Sequence, residues 1–133
     1  MDVMKEIQET LKDTKEAMEA VDAVIGKTAS IEQLKLVAEH IGFDDPGDID
    51  EHDIIENMFL SIEAVIVRRL CGGLDYTESY RLTLGIGGPN VFVDLRPNGY
   101  ATVVVAWGSE KAEEEAYLPH LAEFLEQIEE GCQ

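Results

Sequence analysis

A chain of 133 residues, 45% of them hydrophobic and with only 11 Gly and 4 Pro, is long enough for one domain with a real core. Twenty-eight acidic residues against ten basic ones give a net charge of −18, which excludes nucleic-acid binding through a basic groove and disfavours an anionic membrane surface. No apolar run approaches the roughly 18–20 residues of a membrane span. The acidic start, MDVMKEIQET, lacks the apolar stretch of a signal peptide, so a cytoplasmic protein is expected. Cys71 and Cys132 cannot build a disulfide framework and suit a reducing compartment.

Asp2 to Ile25 reads as one long helix. Met4, Ile7, Leu11, Thr14, Met18, Val21 and Ile25 follow one another by three and four, a heptad stripe that Ala17 and Val24 widen into a core-facing surface. The same stripe leaves open a homodimer through residues 4–25, and Gly26 supplies the stop. A second helix starts at the capping box Ser30–Gln33, buries Ile31, Leu34, Val37, Ala38 and Ile41, and ends at Gly42. The acidic loop FDDPGDIDEHD follows, with Pro46-Gly47 as its turn. A third helix is predicted from Asp50 or Glu51 to Leu70, because Ile54, Ile55, Met58, Phe59, Ile62, Val65, Ile66 and Leu70 fill nearly every core offset. Cys71-Gly72-Gly73 breaks it, with Cys71 as a structural thiol.

The period then changes to two. Ser79–Leu84, Val91–Leu95 and Tyr100–Trp107 read as strands, the last two joined by Arg96-Pro97-Asn98-Gly99 with its hairpin-favouring Asn-Gly pair. Ser109 is expected to cap a final segment in which 110–116 form a loose acidic turn and a helix begins near Tyr117, with Pro119 in its first turn. The expected fold is therefore α+β, in the order α-α-α-β-β-β-α. It is a single domain of 1–133, with a helical part (1–74) covering one face of a three-stranded antiparallel meander that leads into a C-terminal helix (75–133).

Charge is unevenly distributed along the chain. Residues 28–56 hold nine acids and one base, residues 109–133 eight and one, residues 1–27 seven and four, and residues 57–108 four of each. Two acidic patches thus flank a neutral middle, and such surfaces attract basic ones at enhanced rates. The residues expected to contact a partner are Asp44, Asp45, Asp48, Asp50, Glu51 and Asp53, with Glu113, Glu114 and Glu115 as the second patch.

Other motifs fail on their chemistry. An EF-hand loop starting at Asp48 would need a ligand where His52 stands, glycine where Asp53 stands and glutamate where Phe59 stands. Gly85-Ile86-Gly87-Gly88 is followed by Pro89 and a strand, not by the helix N-terminus that a phosphate loop requires, so it reads as a hairpin connection, with the question of a contact surface at Gly85–Pro89 left open. His40, His52 and His120 lie in separate elements without zinc-ligand spacing. No serine sits in a nucleophile motif, and Trp107 is expected as a core or rim anchor. No enzyme, cofactor or metal is expected.

Tyr80-Arg81-Leu82-Thr83-Leu84-Gly85-Ile86-Gly87-Gly88-Pro89, followed by strands and Ala106-Trp107-Gly108, resembles a segment of small phage and mobile-element proteins: a strand, a G-G-P turn, a second strand and a closing W-G. The resemblance covers residues 80–108. It implies a small acidic protein carried by a virus or mobile element, of the anti-CRISPR or anti-restriction type. Its expected role is to bind the basic surface of a host nucleic-acid-binding protein and block that protein's nucleic-acid site.

Overall fold

Helix α1 runs from Val3 to Ile25 in the computed structural model, which describes residues 3–85 and 89–131. Its stripe is buried as the heptad spacing dictates: Ile7, Leu11, Thr14, Met18, Val21 and Ile25 all face the chain's own core. A homodimer through residues 4–25 would have to expose that stripe, since no second apolar seam runs along α1. Asp2 lies outside the described residues.

Helix α2, Ile31–Ile41, is fixed at both ends by its own sequence. Gln33 N–H donates to Ser30 Oγ at 3.1 Å and Ser30 N–H to Gln33 Oε1 at 3.0 Å, the reciprocal bonds of a capping box. Gly42 then takes φ 78° and its N–H returns to the Ala38 carbonyl. A 3-10 turn at Pro46–Asp48 leads into α3, Glu51–Met58.

Here the structure corrects the expected long third helix. Helix α3 stops after eight residues, and Ser61–Val67 form strand β1. The β-branched residues Ile62, Val65, Ile66 and Val67 favour extended backbone over another two helical turns. The helical part of the chain thus ends at Met58 rather than at residue 74. Cys71, expected to close the helix, lies exposed in the loop after β1 as a free thiol.

Strands β2 (Tyr76–Gly85), β3 (Asn90–Leu95) and β4 (Tyr100–Trp107) stand where the alternation places them. A fifth strand replaces the expected acidic turn. Gly108-Ser109 is a two-residue hairpin turn rather than a helix cap, with Gly108 at φ 59°, and Glu110–Tyr117 return along β4 as β5. The fold is α+β as expected, but its sheet is a five-stranded antiparallel meander, β1-β2-β3-β4-β5, rather than three-stranded. The expected β2–β3 hairpin connection, Gly85–Pro89, falls largely outside the described residues at Ile86, Gly87 and Gly88.

Register divides the sheet into two faces. Leu82, Val93, Val103 and Glu114 form one rung on the helix side, as do Tyr80, Leu95, Ala101 and Ala116. Arg81, Asp94, Thr102 and Glu115 form a rung on the outer face, where no helix lies. Small residues at Ala101, Ala112 and Ala116 let α1 approach β4 and β5 closely. Pro119 opens α4, Pro119–Gly131, in the first turn as expected. Leu118 precedes it and has no side chain that could cap, so the cap comes from α1: buried Asp22 accepts the Leu121 N–H at 2.9 Å. No described helix is long and apolar enough to cross a membrane.

Candidate functional site

The first predicted acidic group surrounds the entry to α3, and half of it serves the backbone. Asp45 Oδ1 accepts the Gly47 N–H at 2.9 Å and so caps the 3-10 turn. Asp50 Oδ1 accepts the Asp53 N–H at 2.9 Å while Asp53 Oδ2 accepts the Asp50 N–H at 3.1 Å, a capping box built from two carboxylates. Both charges also favour the positive end of the helix. Asp44 is exposed and Glu51 half-buried, while the side chain of Asp48 lies outside what is described. In the first turn of α3 the His52 ring meets Phe124 of α4 edge-on at 6.1 Å between centroids. Asp50→Ala is expected to cost about 1 kcal/mol through loss of the cap, measured by urea unfolding.

The second predicted group does not form one patch. Alternation along β5 sends Glu113 and Glu115 to the outer face and Glu114 to the helix side. All three meet cations: Lys111 at 2.8 Å from Glu113, Arg96 at 3.3 Å from Glu115, and Lys15 of α1 at 3.1 Å from Glu114. Glu115 also accepts the Thr102 hydroxyl at 3.0 Å. The two predicted groups are not brought together, because the first lies beside α2 and α4 and the second on the far edge strand.

A third acidic surface lies outside both predicted groups. Between α1 and α2 runs a groove of about 340 Å³ in which Glu16, Glu19 and Glu32 surround Leu36 and the Ser30–Gln33 cap. Next to it a hollow of about 410 Å³ adds Asp13, Glu39 and His40. The signal was present in the spacing, since Asp13, Glu16 and Glu19 recur by three along α1 away from its buried stripe. The net charge of residues 1–27 conceals it because Lys5, Lys12, Lys15 and Lys27 offset the sum.

Charge compensation separates the two sides of the molecule. The ion pairs Arg81–Asp94, Arg96–Glu115, Lys111–Glu113, Lys15–Glu114 and Arg68–Asp75 all involve the sheet or its hairpins. Ten basic side chains cannot give twenty-eight carboxylates a partner each, and most of the acids lie on the helices and in the loop before α3. Among the described residues no group of three or more His, Cys, Asp or Glu is arranged to hold a metal ion. Trp107, at the end of β4, is 42% exposed and so belongs to the rim. Comparison with protein-family models, curated proteins and solved structures found no match.

Proposed function

We propose that this protein is a non-catalytic binding protein. Its acidic helical surface occupies a basic, nucleic-acid-handling surface of a host protein, as an inhibitor of the anti-CRISPR or anti-restriction type. The observation that carries the reading is a contrast in compensation: Asp75, Asp94, Glu113, Glu114 and Glu115 of the sheet and its hairpins each meet a cation, whereas Asp13, Glu16, Glu19, Glu32 and Glu39 crowd the α1–α2 groove and the hollow beside it. Crowded carboxylates repel one another, a cost that a basic partner relieves on binding. Such a surface also raises the association rate with a cationic channel, and salt weakens that attraction by screening.

The test uses a target identified by capture from host lysate at low salt and then assayed for nucleic-acid binding. The groove variant Asp13→Asn, Glu16→Gln, Glu19→Gln, Glu32→Gln, Glu39→Gln changes charge with little change of shape. It is expected to bind the target at least about tenfold more weakly, with a flatter salt dependence and an undiminished melting temperature. A second variant, Asp44→Lys with Glu51→Lys, alters the loop without touching its caps. If the target keeps its full nucleic-acid binding in the presence of the unmodified protein, the reading fails. It fails equally if both variants inhibit as well as the parent.

A further inference from the structure

The two edges of the sheet have opposite chemistry. The β5 edge carries Glu110, Lys111, Glu113, Glu114 and Glu115, the kind of charged margin that discourages another strand from pairing. The β1 edge, Ser61–Val67, has one carboxylate, Glu63, and exposes Val65 and Ile66, the latter by 57%. Leu60, just before it, is 62% exposed. Among the described residues strand β1 pairs with β2 alone, so its other side presents free backbone donors and acceptors.

Above this edge α4 leaves a gap. A groove of about 180 Å³ lies between β1 and α4, lined by Ile62, Ala64, Leu125 and Ile128. It adjoins a wider cavity of about 600 Å³, where Ala64 and Ile66 face Glu126, Glu129 and Glu130. Glu129 Oε1 accepts the Thr77 hydroxyl at 2.6 Å, but its Oε2 is buried without a hydrogen-bond partner among the described residues. A buried carboxylate oxygen without a donor is costly, and a donor from outside would relieve it. The nearby cations are engaged elsewhere: Arg68 pairs with Asp75 at 3.5 Å and Arg69 lies over the Tyr76 ring at 5.7 Å.

We propose that the β1 edge takes up, as a sixth strand, an extended segment of a partner protein in which lysine or arginine alternates with apolar residues. Basic side chains on the helix side would lay their methylene stems on Ala64 and Ile66 and bring their charges to Glu126, Glu129 and Glu130. The alternate residues would lie beside Val65 and Val67 on the outer face. A second copy of this chain is a poor occupant. Two β1 strands paired antiparallel around a two-fold axis put both α4 helices on the same side and bring their glutamates together. The inference rests on the proposed function, in that it describes how a basic partner is held.

The test probe is a blocked heptapeptide alternating lysine and valine, titrated calorimetrically into the full-length protein beside its glutamate–valine counterpart. The lysine peptide is expected to bind at least about tenfold more tightly, and Glu126→Gln with Glu130→Gln to lose about tenfold. Alternate β1 amides should gain protection from hydrogen exchange on binding. Absence of binding, binding without protection in β1, or indifference to Glu126→Gln with Glu130→Gln each overturns the proposal. Concentration-dependent dimerisation in the ultracentrifuge that Ile66→Lys abolishes would assign the edge to a second copy and overturn it as well. The α1–α2 groove variant is expected to leave peptide binding intact. Failure of the peptide with retained target inhibition therefore removes this inference alone.

Discussion

Gly99→Ala is expected to destabilise the protein by about 2–4 kcal/mol, the sum of a conformational and a steric cost. Gly99 sits at φ 95° in the β3–β4 turn, a region that L side chains rarely adopt. A Cβ there would fall 2.9 Å from the Tyr117 ring and 3.0 Å from the Pro119 Cα, and the second of these is backbone that cannot swing away. The same residue joins two elements, because the Leu118 N–H donates to its carbonyl at 2.7 Å just before α4 begins. Gly108→Ala provides the control. It is also left-handed, at φ 59°, but a Cβ there meets nothing within 4 Å. It should cost only about 1 kcal/mol, from backbone strain alone. Equal losses in urea unfolding for the two variants would show that the contact with Pro119 is not the source.

Asp22 should give the second large effect, and its sign depends on the substitution. Asp22→Ala leaves the buried Leu121 N–H without an acceptor and α4 without a cap, an expected loss of about 2 kcal/mol. Asp22→Asn keeps an acceptor oxygen in place. Burial pushes the Asp22 carboxyl above its ordinary value of 3.8, opposed in part by the Leu121 N–H and by the charge of His120. The folded state therefore holds this proton more tightly than the unfolded chain. The stability the proton supplies is complete below pH 3.8 and is lost as pH rises through the higher folded value. Relative to Asp22→Asn, the parent should lose stability from about pH 4 towards neutrality, with Asp22→Asn the more stable of the two at pH 7. A gap between them that stays constant with pH would show that Asp22 does not titrate differently in the two states.

Where local chemistry and tertiary structure agree, the sequence is readable. The Ser30–Gln33 box, the Gly42 stop, the α1 stripe and the strands around Asn98-Gly99 follow from the residues that form them. Two segments depart from their local signals, each for its own physical reason. In residues 51–67 a helical spacing of apolar side chains continues across Phe59-Leu60 with no Gly or Pro to mark the change. Only the run of β-branched residues after Ser61 distinguishes the strand. In residues 110–117, Glu, Lys and Ala are good helix formers by intrinsic preference. Pairing with β4 overrides that preference, and the small alanines at 112 and 116 fit beneath α1.

The same override rearranged the candidate site. The loose acidic turn expected over 110–116 kept Glu113, Glu114 and Glu115 together as one patch, whereas a strand divides them between two faces and brings each a cation. The groove between α1 and α2 could not be read from totals, because it depends on which faces of two helices adjoin. Asp22 was equally hidden: its role appears only once α4 is seen to begin after Leu118 with no cap of its own.

The bond from Asp22 to Leu121 spans 99 residues, and it has a consequence for how the chain is made. Helix α1 leaves the ribosome well before β4, β5 and α4, which help to cover its apolar stripe. At about 5–20 residues per second, roughly 5–20 s pass before Leu121 follows Asp22. Throughout that interval only α2 and α3 are on hand to pack against the amphipathic α1, and the part of its stripe that meets the sheet waits for its cover. Asp13, Glu16 and Glu19 lie exposed on the opposite side of that helix, where their like charge disfavours contact with a second nascent copy through that side.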